Sequence, residues 1–319
     1  MAESTRVALA LGGGGARGYA HIGVIEAIEE RGYEVVGTAG SSMGAVIGGL
    51  HAAGRLGPYT EWVCGLSQRD VIRLLDPVLR APGVIRAEKI LDRVRELLGD
   101  VRIEDLPIPL TVVATDLLAH RAVWFQSGPL DVAIRASIAM PTFITPLILN
   151  GRILVDGGIV DPVPIAPMAA VEADLTVAVS LSGEAVGTQG APRAESSEER
   201  PVSEWREMSR RATAQLMDSD AVKAIWARFG RDDDATPATG NLDESREDPT
   251  PQLGRTEVLN RSIDAMQAVI TRYRMAGNPP DLLITIPKDA SGTLDFHRAE
   301  ELIDLGRRKA MDALDTVEL

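Results

Sequence analysis

A single cysteine, Cys64, stands among 319 residues. It can form no intramolecular disulfide, which suits a reducing cytosol, and it is expected to fill space as a small buried hydrophobe. No uninterrupted apolar run reaches the ~18 residues that mark a candidate spanning helix. The opening residues, 1–6, lack the basic-then-apolar layout of a secretory signal. These absences point to a cytoplasmic chain with at most peripheral contact with a membrane. Positive charge is also in short supply: 33 Lys and Arg against 46 Asp and Glu leave a formal net charge of −13. That balance argues against a nucleic-acid partner, whose phosphates must be neutralised. It argues equally against purely electrostatic attraction to anionic lipid, so a lipid would have to be met through apolar contacts. Four histidines, His21, His51, His120 and His297, are too scattered for a metal cluster, and no H-E-x-x-H pattern occurs. No metal and no cofactor are expected.

What is present is an alternation of strands and helices. Residues 6–11 (RVALAL) form a short apolar run that ends at glycines, as a buried strand does. Residues 19–31 place Ile22, Ile25 and Ile28 on one face and Glu26, Glu29 and Glu30 on the other, an amphipathic helix closed by Gly32. A second strand over 34–40, a helix over 45–53, and helical stretches at 59–75 and 88–98 follow. Further strands are expected at 110–114, 122–125, 152–155, 175–181 and 282–286, with helices at 256–274 and 298–314. Strands separated by helices predict a mainly parallel sheet with helices on both faces. Residues 187–201 and 230–255 are polar, rich in Gly, Pro and acid, and read as surface excursions around a helical stretch at 202–229. The simplest organisation is one domain over 5–315 with a polar insertion at about 187–255.

Three motifs carry chemistry. Residues 12–18 (GGGGARG) lie between the first strand and the first helix. Glycines let successive N–H groups point into one concavity, and the helix behind adds its unpaired amides and dipole, so the loop suits an anion. Gly13, Gly15 and Gly18 also satisfy G-x-G-x-x-G, but a dinucleotide site needs an acid at the end of the second strand. Glu34 lies at its start, and the strand ends at Gly40 and Ser41. The second motif is G-x-S-x-G over 40–44, between a predicted strand and a predicted helix. Gly40 and Gly44 permit a sharp turn that lifts the Ser42 hydroxyl above the sheet. Two strands joined by a helix are parallel neighbours, about 4.8 Å apart, so their carboxyl ends bring the glycine loop beside Ser42. Amides next to a nucleophile suit acyl transfer, where they stabilise the oxyanion. The third motif is Asp156 with Gly157 and Gly158 at the end of the strand over 152–155, expected at the same sheet edge.

In this order the motifs resemble the patatin-like phospholipase family, on the bacterial side that is similar to neuropathy target esterase. The resemblance extends to AIRASIAMPTFITPL at 133–147, PDLLITIP at 280–287 and LDFHRAEELIDLG at 294–306. It implies a three-layer α/β/α sandwich, a Ser–Asp dyad with Ser42 as nucleophile and Asp156 as base, and no cofactor. It also implies an oxyanion hole built from the amides of Gly13, Gly14 and Gly15. Arg17 takes the place of the loop's basic residue, which steadies the loop or offsets charge near it. Family substrates are phospholipids, lysophospholipids and simple carboxyl esters. Asp161 stands where relatives often have asparagine, and it is expected to cap a turn before Pro162.

Two rival readings stay open at this stage. Ser42, Asp156 and His297 occur in the chain order of an α/β-hydrolase triad, although His297 opens a helix, where capping or packing is the plainer role. The chain could also bind a lipid or acyl chain without catalysis. A carboxylate base predicts activity persisting below the histidine range, near pH 6.5.

Overall fold

The computed structural model describes residues 4–75, 88–141, 143–183 and 255–317. All of them belong to one compact unit, Met1–Thr188 with Gly254–Leu319. The polar insertion expected at about 187–255, and the helical stretch within it, lie outside the described residues.

Alternation along the first strand sets the layers. In β1 (Arg6–Leu11), Val7, Leu9 and Leu11 point to one face and Ala8 and Ala10 to the other. The large side chains meet α1 (Ala20–Glu30), α2 (Met43–Ala52) and α8 (Ala299–Leu314) in the main core. Each fully buried leucine there contributes about 1.5–3 kcal/mol. The alanines leave room for a thinner cover made by Val163, Ile165 and Met168, with Met275 of α7 (Arg255–Gly277) packed against them. The result is a three-layer α/β/α arrangement.

Five strands run parallel: β3 (Leu110–Asp116), β2 (Glu34–Ser41), β1, β7 (Leu175–Gly183) and β8 (Leu282–Pro287), adjacent in that order. Beyond them the sheet departs from the expected parallel run. β4 (Arg121–Phe125) and β6 (Arg152–Asp156) pair antiparallel with β3, and the short β5 (Leu147–Leu149) pairs antiparallel with β6. The reason is local: tight turns join β3 to β4 and β5 to β6, and neither leaves room for a crossover helix. Asn150 and Gly151, with φ of 49° and 75°, form the second turn, a conformation that suits the strand twist.

Register decides where these strands lie. Val112 and Val113 pair with both β2 and β4, so those two strands occupy opposite edges of β3. Ala114, Thr115 and Asp116 pair with both β4 and β6. β6 therefore lies on the same edge as β2, end to end with it. β2 stops opposite Val113, and β6 stops opposite Ala114. The remaining α-helices among the described residues are α3 (Leu56–Cys64), α4 (Gln68–Leu75), α5 (Glu88–Leu98) and α6 (Leu130–Ser137). The helical stretch expected at 59–75 is thus two helices, and α6 and β5 are additions to the expected elements. Cys64 is a free thiol and only partly buried.

The β5–β6 turn is a test of how β6 is set. A Cβ at Gly151 would meet nothing within 4 Å, so its positive φ is the sole constraint. Gly151→Ala should cost about 1 kcal/mol and lower Tm by roughly 2–4 °C. Gly57→Ala, in α3 with equally open space and no positive φ, should not lower it. Thermal melts of the two variants at one pH make the comparison.

Candidate active site

Ser42 is the first residue beyond β2, with φ 54° and ψ −124°, and α2 begins immediately after it. A non-glycine residue in this region is a strained one. The turn is tight on both sides: a Cβ at Gly40 would lie 2.4 Å from Gly44 O, and one at Gly44 would lie 2.1 Å from Leu11 O. The Ser42 amide donates to Ser137 Oγ at 2.9 Å, and that hydroxyl donates to Val113 O at 2.6 Å. Ser137, buried at the end of α6, thus ties the elbow to β3. The resemblance includes its segment, but no local pattern marks Ser137 itself. The unpaired first amides of α2 and the positive end of its dipole open at Ser42.

The glycine loop arrives beside the elbow because β1 and β2 are parallel neighbours, with Leu11 paired to Gly40. A Cβ at Gly13 would lie 3.1 Å from Ser42 Cβ. The Gly12–Gly13 peptide is held at both ends. Gly13 N donates to Pro162 O at 3.0 Å, and Gly12 O lies 2.7 Å from His21 Nε2. A carbonyl can only accept, so His21 carries its proton on Nε2. Burial pulls its imidazole down to about 4, against the pull of that hydrogen bond. His21 is therefore neutral. Of the three amides expected to face an oxyanion, that of Gly13 is committed to Pro162. The amides of Gly14 and Gly15 are not among those so engaged, while Ala16 N donates to Thr293 O. Gly14 packs against Leu181, Gly15 against Thr293 and Gly18 against Met43. Arg17 reaches away and donates to Lys288 O at 2.6 Å, tying the loop to the end of β8.

Asp156 ends β6 and is 1% exposed. Its approach differs from that expected: it comes down an antiparallel strand to meet β2 tip to tip, instead of ending a parallel one. Asp156 Oδ1 accepts from Gly158 N at 2.7 Å. Oδ2 is buried without a hydrogen bond. Burial pushes the carboxyl up to about 6, opposed by the nearby Ser42 hydroxyl and the Gly158 amide. The Ser42 hydroxyl is close enough to favour the charged form, without a hydrogen bond of normal geometry. Gly157 closes the junction, because a Cβ there would lie 2.1 Å from Val113 O and 2.6 Å from Ser41 Oγ.

Asp161 does not cap a turn. Both its carboxylate oxygens are buried without hydrogen bonds, and Arg274 Nη1 stands 3.6 Å from Oδ2. Burial pushes it up to about 6, opposed by Arg274. His297 sits in a half-buried turn. Among the described residues, no histidine is hydrogen-bonded to Ser42 or Asp156, and no group of three or more His, Cys, Asp or Glu could hold a metal.

Beside Ser42 a cleft opens between α3, α4, α5 and the segment after α6. Met43, Tyr59, Trp62, Leu91, Phe143 and Phe296 are among its walls, and among the described residues no charged side chain lines it. Nothing in the local sequence patterns announced this cleft, because its walls come from elements far apart in the chain.

Residues 9–169 match the family model described as patatin-like phospholipase. The chain belongs to the patatin-like phospholipase family. An uncharacterized NTE family protein of Mycobacterium tuberculosis is 49% identical over 341 residues, covering 99% of this chain and 93% of that protein. Lysophospholipase NTE1 of Coccidioides immitis is 27% identical over 98% of this chain and 18% of its own length. Human patatin-like phospholipase domain-containing protein 6 is 31% identical over 56% of this chain and 13% of its own length. Among solved structures, VipD from Legionella pneumophila aligns with 98% of this chain and 67% of its own, with a TM-score of 0.45 and 15% identity. Within this patatin-like chain, the family model spans all three motifs.

The buried carboxylate has a stability consequence. Its pKa is raised on folding, so its contribution is fully present below the unfolded value and lost as pH rises through about 6. The ionised Asp156 should cost about 3 kcal/mol at neutral pH. Asp156→Asn is expected to melt higher than the wild type at pH 7.5, with the gap closing near pH 4. Equal melting at both values would refute the desolvation account.

Proposed function

We propose that this protein hydrolyses carboxylic esters of lipids, phospholipids or lysophospholipids, through Ser42 and Asp156. The observation that carries the reading is the tip-to-tip meeting of β2 and β6, which sets a strained serine beside a buried carboxylate of raised pKa. Family membership and the lysophospholipase name of a relative support the lipid ester. The walls of the cleft, uncharged among the described residues, support an acyl chain as what it receives. Contact with a membrane surface is part of the proposal. Leu118, in the β3–β4 turn at the sheet edge that bears Ser42, is 68% exposed and supports it. No helix among the described residues is long and apolar enough to cross a bilayer.

In the proposed reaction Asp156 takes the proton from Ser42 as Oγ attacks the ester carbonyl. The amides of Gly14 and Gly15 receive the oxyanion, each such donor supporting about 2.7–4 kcal/mol of transition-state stabilisation. Protonated Asp156 then gives its proton to the leaving alcohol, and an acyl-serine remains. Water, deprotonated by the same carboxylate, releases the fatty acid and restores Ser42. A base near pH 6 suits this work, since its affinity for the proton approaches the operating pH.

Turnover of a short-chain nitrophenyl ester by folded variants tests the dyad. Ser42→Ala should leave background hydrolysis only, and Asp156→Asn should lose at least ~10²–10⁴-fold. Activity should fall as pH drops through about 6, because Asp156 then holds its proton. That limb lies close to the histidine range, so the pH profile does not separate the two bases as a carboxylate of ordinary pKa would. His297→Ala separates them: retained activity is expected, and a variant as dead as Ser42→Ala would replace the dyad with a triad.

A further inference from the structure

We infer that α7 acts on the chemistry through Gln267 and Arg274, which are positioning residues for Asp156; this rests on the dyad reading above. The two side chains are seven residues apart, two turns of one helix, and so share a face. Both reach the segment that follows Asp156. Gln267 Nε2 donates to Gly158 O at 2.9 Å, and Arg274 Nε donates to Val160 O at 3.0 Å. Thr271, 6% exposed, lies between them in the same helix and spends its hydroxyl on Gln267 O.

The grip falls on the residue that holds the carboxylate. Gly158 N donates to Asp156 Oδ1, and Gly158 O accepts from Gln267. With the carbonyl on one side of this Cα held, the direction of the amide on the other side is limited. The fit is close: a Cβ at Gly158 would lie 3.0 Å from Asp156 Oδ1 and 3.1 Å from Gln267 Nε2. Arg274 fixes the far end of the same segment and places positive charge 3.6 Å from the buried Asp161 carboxylate. Pro162 O, two residues beyond Val160, accepts from Gly13 N. One stretch of seven residues therefore carries the base at its start and the glycine-loop anchor at its end, and α7 holds it in between.

A helix that merely covered the sheet would support folding without regard to which polar group its side chains present. Four substitutions separate the two roles. Gln267→Met and Arg274→Met keep length and remove the donors; Gln267→Lys and Arg274→Lys keep a donor. For each Met variant kcat should fall about ten-fold, and for the double Met variant about 10²-fold, with KM within about two-fold throughout. The Lys variants should recover most of the loss. Labelling of Ser42 by a fluorophosphonate probe should slow in parallel, which reads the site without any assumption about the natural ester. Circular dichroism and melting identify the folded variants. Should Arg274→Met fail to fold, the half-buried Gln267 pair alone decides.

Folded Met variants that turn over and label like an active wild type would overturn the assignment to α7 alone. Lys variants as impaired as the Met variants would do the same. A wild type that neither labels nor cleaves any ester would fell the dyad reading, and this inference with it.

Discussion

β3 extends about three residues, roughly 10 Å, past the point where β2 leaves it. That overhang would leave unpaired backbone groups buried, which folded chains avoid. β6 fills it from the opposite direction. Two strands then compete for one edge, and each must stop where the other begins, at the adjacent positions Val113 and Ala114. The chain has to turn sharply out of the sheet twice within one residue step. Serine and aspartate stand at those two exits. Gly40, Gly44 and Gly157 follow from the crowding around these exits, where an added carbon atom would sit 2.1–2.4 Å from a backbone oxygen.

Around the junction lie many of the polar groups that the fold leaves unsatisfied. Ser41 Oγ, His21 Nδ1, Asp156 Oδ2 and both oxygens of Asp161 are buried without hydrogen bonds. The neighbours that are satisfied serve rigidity. Ser137 joins the elbow to β3, and His21 with Pro162 locks one peptide of the glycine loop.

Much of this was legible from spacing alone. The apolar run of β1, the amphipathic α1 and the glycine-flanked Ser42 carry local signals strong enough to place the loop beside the serine, because a helix between two strands makes them parallel neighbours. The direction of β6 was not read, since its pairing depends on the turn before it. Asn150-Gly151 is a hairpin signal, but β5 has only three residues and too short a pattern to be recognised as a strand. The engagement of the Gly13 amide is hidden in the sequence for a related reason. Gly13, Gly14 and Gly15 are indistinguishable as letters, and only the position of Pro162, about 150 residues away, shows which amide is taken. Gln267 and Arg274 gave no signal at all, being polar residues on a helix whose docked face is set by the loop it meets.

Glycine, and not serine, is the residue that the backbone at position 42 asks for. With φ at 54°, any side chain there holds strain of about 1–2 kcal/mol. A search for hardier versions of this protein that scored only survival of heating would reward the loss of that hydroxyl early. It would next reward neutral replacements for the buried acids. At Ser42 and Asp156 such steps would look like progress in a melting curve while removing an atom that the proposed chemistry needs. Screens for durability in this fold must therefore read turnover in the same well, or they will select for well-made but inert scaffolds.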